Sequence, residues 1–275
     1  MKKEYLSAPL PFVGQKRMFA KEYIKVLDEV KDAKVFVDLF GGSGLLSHIT
    51  KRQRPDTTVV YNDYDNYRRR LECIDRTNVL LDRLRDILAP VPRLKAVPKP
   101  VKERILDLMA EEEAKTGFVD YITLSASLLF SMNYVTTLDE LRKQTIYNRI
   151  RRSNYDAEGY LDGLEIESCD YRQLFDGYKY RDDVVFLVDP PYLSTDVGTY
   201  NMCWKLSDYL DVLKILVNHR YVYFTSNKSS IIELCDWLGK NKEIGNPFIG
   251  ATRKEFNASM NRGARYTDIM LHNVA

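Results

Sequence analysis

Val35-Phe36-Val37-Asp38-Leu39-Phe40-Gly41-Gly42-Ser43-Gly44 reads as a buried strand that runs into a glycine loop. Leu45 to Lys51 should then start a helix, and Thr58-Val59-Val60-Tyr61 a second strand closed by Asn62-Asp63. Strand, glycine loop, helix, strand and acid, in that order, predict the start of an α/β doubly wound, mostly parallel sheet. Just upstream, Phe19, Tyr23, Leu27 and Val30 recur at helical spacing, so an amphipathic helix is expected near 18–31.

The loop suggests a ligand. Gly42-x-Gly44-x-x-Ser47 has the form of a dinucleotide fingerprint, and Asp63 follows at about the 20-residue spacing of a ribose-binding acid. Glycines let backbone approach a ligand, and Asp63 can accept hydrogen bonds from both ribose hydroxyls. By itself this fits NAD as well as other adenosine cofactors. Asp38 narrows the choice, because an acid in the crevice would repel a pyrophosphate. It suits a cationic amino-acid moiety, such as the methionyl ammonium of S-adenosylmethionine; its plainer role is to cap the following turn.

A second apolar run, Val184 to Val188, predicts another buried strand, ending in Asp189-Pro190-Pro191-Tyr192. Ligands of open α/β sheets bind beyond the carboxyl ends of the strands. Asp189 offers an anionic acceptor, Pro190 a backbone carbonyl without its own N–H, and Tyr192 an aromatic face. Such a set can hold the exocyclic amine of a planar ring. The alternative is a stiff turn after a strand.

Between these parts, Tyr67 to about Gly163 shows helical periodicity and no convincing strand, so a largely helical insertion is expected. Its helices should lie near 71–88, from Val101 to Lys115 and from Tyr121 to Met132. Sheet-like segments resume at Leu164–Ser168, Arg220–Thr225 and Asp268–Leu271, with helices from Leu206 to Val217 and from Ser230 to about Leu238. The expected organisation is therefore a catalytic domain from 1–66 and 164–275, interrupted by the insertion at 67–163.

With 275 residues, 45% hydrophobic and 29% charged, the chain can build a packed core. No run approaches the roughly 20 apolar residues of a membrane span, and no signal-peptide core follows the N-terminus. A cytoplasmic protein with no membrane partner is expected. Cys73, Cys169, Cys203 and Cys235 are scattered, which favours reduced thiols over a metal site. Net charge is only +2, but Arg142, Lys143, Arg149, Arg151 and Arg152 cluster with Tyr147, Asn148, Asn154 and Tyr155 interleaved. Basic side chains among Asn and Tyr suit phosphates and base edges, although a charge run is commonly a solvated face. Arg253, Lys254, Arg262 and Arg265 form a second basic group, and Arg68-Arg69-Arg70 reads as solvated.

These motifs, in this order, resemble the DNA adenine-N6 methyltransferases, in particular the Dam-like group. The likeness rests on Asp38 to Gly44 as cofactor motif and Asp189-Pro190-Pro191-Tyr192 as catalytic motif, separated by a long insertion. Pro11-Phe12-Val13-Gly14-Gln15-Lys16 is similar to the family's N-terminal motif, with Gln15 where a second glycine is usual. The resemblance implies cofactor contacts from Phe12, Lys16, Asp38, Phe40, Gly42, Gly44, Asp63 and, near the adenine, Asp170. It implies methyl transfer from S-adenosylmethionine to N6 of an adenine flipped out of double-stranded DNA. Asp189 and the Pro190 carbonyl would draw the NH2 group toward a nucleophilic amine, and Tyr192 would stack on the ring. Thr199, Tyr200 and Asn201 are candidates to close over it. DNA contacts would come from the basic cluster of the insertion, Tyr200, Arg253 and Arg265. A monomer is expected for this group, and a cognate restriction endonuclease sharing the target site is a partner that such enzymes can have. Relatives acting on cytosine N4 tend to carry Ser in place of Asp189, and those acting on glutamine amides Asn. RNA adenine and a catalytically lapsed DNA-binding protein are the remaining alternatives.

Overall fold

The computed structural model describes residues 4–130, 133–191, 204, 206–227, 229–240, 247–259 and 265–274. These divide into two compact units, one formed by 8–15 and 66–160, the other by 2–7, 16–65 and 161–275.

The second unit is built on a seven-stranded sheet. Its strands are β1 (Val35–Asp38), β2 (Thr58–Asn62), β3 (Glu165–Glu167), β4 (Val184–Val188), β5 (Tyr221–Ser226), β6 (Thr252–Ser259) and β7 (Arg265–Asn273). They lie in the order β3-β2-β1-β4-β5-β7-β6. Five run parallel; β7 is antiparallel to both its neighbours. This is the Rossmann-like sheet of S-adenosylmethionine-dependent methyltransferases, as the sequence predicted.

Strand parity sorts the core. Val35, Val37, Val184, Phe186 and Val188 face α8 (Tyr171–Tyr178), α9 (Leu206–Leu216) and α10 (Ile231–Lys240). The residues between them, Phe36, Val185 and Leu187, face α1 (Ala20–Glu29) and α2 (Leu45–Gln53). Both faces are covered, so the central strands are apolar throughout, as parallel sheets require. The same alternation sends Asp38 toward α2, and Asp189 continues it one residue beyond β4.

The first unit is helical: α3 (Tyr67–Glu72), α4 (Ile74–Leu88), α5 (Lys99–Thr116), α6 (Tyr121–Ala126) and α7 (Leu138–Lys143). Pro100 is accommodated in the first turn of α5, where no intrahelical N–H bond is lost. The segment 8–15 belongs here because its backbone is held by helix side chains. The Tyr67 hydroxyl bonds both Leu10 N–H and carbonyl, and Arg70 Nη2 donates to the Pro11 carbonyl at 2.8 Å.

Two expectations fail in this unit. The helix expected from Tyr121 to Met132 ends at Ala126, because the following backbone bonds elsewhere: the Leu128 carbonyl accepts from Tyr147 N–H and Ser125 Oγ from Val135 N–H. Arg70 is not solvated. It is 7% exposed, and Asp120 and Thr123 complete its bonds. Among the described residues, no helix is long and apolar enough to cross a membrane.

Candidate active site

The glycine loop leaves β1 and turns into α2. Gly42 and Gly44 have positive φ, 50° and 71°, and Gly44 caps α2 in the left-handed region that glycine adopts without strain. Gly41 is different. A Cβ there would run into the Tyr61 ring and the Asn62 carbonyl. Tyr61 in turn places its hydroxyl 2.8 Å from the Gly42 carbonyl and 3.0 Å from Asp63 Oδ1, so the second strand braces the loop that follows the first. Asn62 ties three strand ends together: its amide donates to the Leu39 and Cys169 carbonyls and accepts from Cys169 N–H, each within 3.1 Å.

Asp38 is 1% exposed at the end of β1. Ser47 of α2 donates to its Oδ2 at 2.7 Å, while Oδ1 has no hydrogen-bond partner. Burial pushes this carboxyl up to about 7, and the charge of Asp189 adds to the shift against the pull of Ser47, the Phe40 N–H and Lys16. A buried carboxylate oxygen with no donor is costly unless a ligand supplies one. A cationic ammonium group fits that demand, so these residues suit the methionyl end of S-adenosylmethionine.

Asp189 follows β4, beside β1 in the sheet, with Leu187 in register with Asp38. Its Oδ2 lies 2.6 Å from Lys16 Nζ. Burial raises its pKa, Lys16 opposes the shift by charge and hydrogen bond, and Asp268 of β7 adds to it. Pro190 is buried and Pro191 half-buried.

Other expected residues lie as follows. Asp63 is buried just beyond β2. Asp170 is exposed and caps α8, accepting from Arg172 N–H at 2.8 Å. Phe40 packs on Tyr171, 4.8 Å between ring centres, and on Trp204, which stacks on Tyr171 in turn. Neither Tyr171 nor Trp204 was marked by the sequence, where each is an isolated aromatic. Phe12 meets Tyr67 edge-on in the helical unit. Tyr192, Thr199, Tyr200 and Asn201 lie outside the described residues, as does the Arg265 side chain.

The basic cluster is heterogeneous. Arg142 and Lys143 are exposed in the last turn of α7, and Arg152 is exposed in the loop beyond. Arg149 lies over Phe130 and donates to the Leu129 carbonyl; Arg151 lies over Tyr155 and donates to the Ser153 carbonyl. Arg253 is spent on a surface pair with Glu255. The loop that carries Arg149 to Arg152 is stapled by residues absent from the sequence reading. Asn78 brackets the Tyr155 backbone, and Arg85 and Arg93 donate to the carbonyls of Arg151 and Ile150.

The chain is 36% identical, over 284 aligned positions, to a Haemophilus influenzae (strain Rd) protein described as "Putative methyltransferase"; the alignment spans 98% of this chain and 93% of that one. The chain belongs to this methyltransferase family. No protein-family model matches it. Relationship and sheet order together make the methyltransferase one of the S-adenosylmethionine-dependent class.

Proposed function

We propose that this methyltransferase modifies N6 of adenine in double-stranded DNA, taking the methyl group from S-adenosylmethionine. The observation that carries the reading is the pairing of two acids on neighbouring strand ends, Asp38 after β1 and Asp189 after β4, with different surroundings. Asp38 Oδ1 lacks a donor and suits the cofactor's ammonium. Asp189 meets Lys16 through Oδ2 and, next to the buried Pro190, suits an aromatic NH2. Bound S-adenosylmethionine would supply an electrophilic methyl group.

The protein's share of the chemistry is positioning and electrostatics. Accepting one N–H at Asp189 and the other at the Pro190 carbonyl withdraws the amine lone pair from the ring. The nitrogen then forms its bond to the methyl carbon as the carbon–sulfur bond breaks, and its surplus proton leaves to water. Tyr192, by the resemblance, stacks on the flipped base. Asp63 and Asp170 would hold the nucleoside, and Phe40 its apolar surroundings. Exposed Arg142, Lys143 and Arg152 would meet DNA phosphates.

Purified protein given labelled S-adenosylmethionine and duplex DNA should yield N6-methyladenine, and Asp189→Ala should lower the rate by at least about 1,000-fold with the fold intact. Label on cytosine N4, on RNA or on a glutamine amide would replace the proposed substrate. No transfer to any of them would leave a DNA-binding relative without catalysis.

A further inference from the structure

Lys16 is buried, with 7% of its side chain exposed, and Asp189 is mostly covered at 19%. The lysine reaches Asp189 from a fixed base. It precedes the short 3-10 turn Arg17–Phe19, and Phe19 N–H donates to its carbonyl at 2.9 Å. Phe19 is anchored in the core, its ring 5.3 Å from Phe224 and 4.6 Å from Phe256. The ammonium itself sits 6.0 Å from the centre of the Phe224 ring. The groups that face Asp189 electrostatically come from four places: Lys16, Asp38 on β1, Tyr223 on β5 and Asp268 on β7. Lys16 is the cation of that set among the described residues.

We propose that Lys16 is a positioning residue for Asp189, holding its carboxylate ionised and turned so that Oδ2 faces the lysine and Oδ1 faces the target amine. This goes beyond the cofactor contact that the resemblance implies for Lys16, and it rests on the reading of Asp189 as the amine acceptor. A protonated Asp189 would present an O–H donor to an N–H donor and lose the contact. Burial and the neighbouring Asp268 favour that proton, and one buried ammonium opposes it.

The test follows the carboxyl carbon of Asp189 by NMR across pH in wild type, Lys16→Met, Lys16→Gln and Lys16→Arg, beside the pH profile of kcat for DNA methylation. In Met and Gln variants the carboxyl should titrate higher by about one pH unit or more, because an adjacent opposite charge is removed. The acidic limb of kcat should move up by the same amount whatever the change in KM for S-adenosylmethionine, and Arg should restore most of the wild-type profile. An unshifted carboxyl, or a raised cofactor KM with an unshifted limb, overturns the proposal. Wild type gives a check that needs no folded lysine variant: the Lys16 ammonium resonance should move as Asp189 titrates, and an indifferent resonance overturns it too. Should wild type fail to methylate adenine, the amine reading falls, yet the two titrations still decide whether Lys16 holds Asp189.

Discussion

Asp120 and Asp38 are equally hidden carboxylates in different units, and they are treated in opposite ways. Asp120 accepts twice from Arg70 Nε, once from Thr123 N–H and once from the Thr123 hydroxyl, so both its oxygens are satisfied by the protein itself. Asp38 has Ser47 on one oxygen and nothing on the other. Burying an acid is costly in either place. In the helical unit the cost is offset within the fold, because Arg70 also bonds the Pro11 carbonyl and so ties 8–15 to α3. At the carboxyl end of central β1 the cost is left standing, as expected where a ligand completes the site. Burial alone does not separate a structural acid from a functional one; its unmet hydrogen bonds do.

The largest effect should come from breaking the satisfied pair. Asp120→Ala strands the Arg70 guanidinium in the core and should cost roughly 3–5 kcal/mol in denaturant unfolding. A loss under 1 kcal/mol would show that the contrast with Asp38 is not one of energetics. Asp38→Asn should do the reverse, weakening S-adenosylmethionine binding by roughly 2–3 kcal/mol, on the order of 100-fold in calorimetry. It should also leave ligand-free stability at pH 8 equal to wild type or higher. The sign follows from linkage. The folded carboxyl, at about 7, holds a proton that the unfolded chain, near 3.8, has lost, so ligand-free stability falls as pH rises through that window. Asp38→Asn removes that fall.

The same proton should compete with the cofactor in wild type. A cation at Asp38 needs the carboxylate, so affinity should be level above about pH 7 and drop up to about tenfold per unit below it. A pH-independent affinity between 5.5 and 7 would place the ammonium elsewhere. The smallest effects separate exposed from stapled cations. Arg152→Ala should reduce the salt slope of DNA binding by about 1, whereas Arg149→Ala, which loses its Phe130 and Leu129 contacts, should act more on stability than on the slope.

Much of the second unit was legible because its signals are local. An apolar run, a glycine loop and an acid lie within one stretch of chain, and parity alone sets Asp38 and Asp189 on one face. β6 was missed for a physical reason. Thr252–Ser259 is a polar strand on the outside of the sheet, paired only to β7, so it needs no apolar alternation and its charges guard an open edge. Arg70 looks solvated in the sequence because a run of charges is ordinarily exposed and its partner Asp120 lies far along the chain. The Lys16–Asp189 pair was hidden for the same reason: both residues were marked, but nothing local says that they meet.

Gly41 and Tyr61 carry a lesson about heredity. Gly41 lacks a side chain because Tyr61 fills that space, and the Tyr61 hydroxyl braces the loop from there. Neither position can drift alone: a larger residue at 41 meets the ring, and a smaller one at 61 opens a void beside the loop. Accepted changes should therefore arrive as pairs, and a smaller residue at 61 should rescue Gly41→Ala only in part, because the Asn62 carbonyl would still lie 2.8 Å from the new Cβ. A glycine that looks reserved for a ligand is here held in place by its own neighbour.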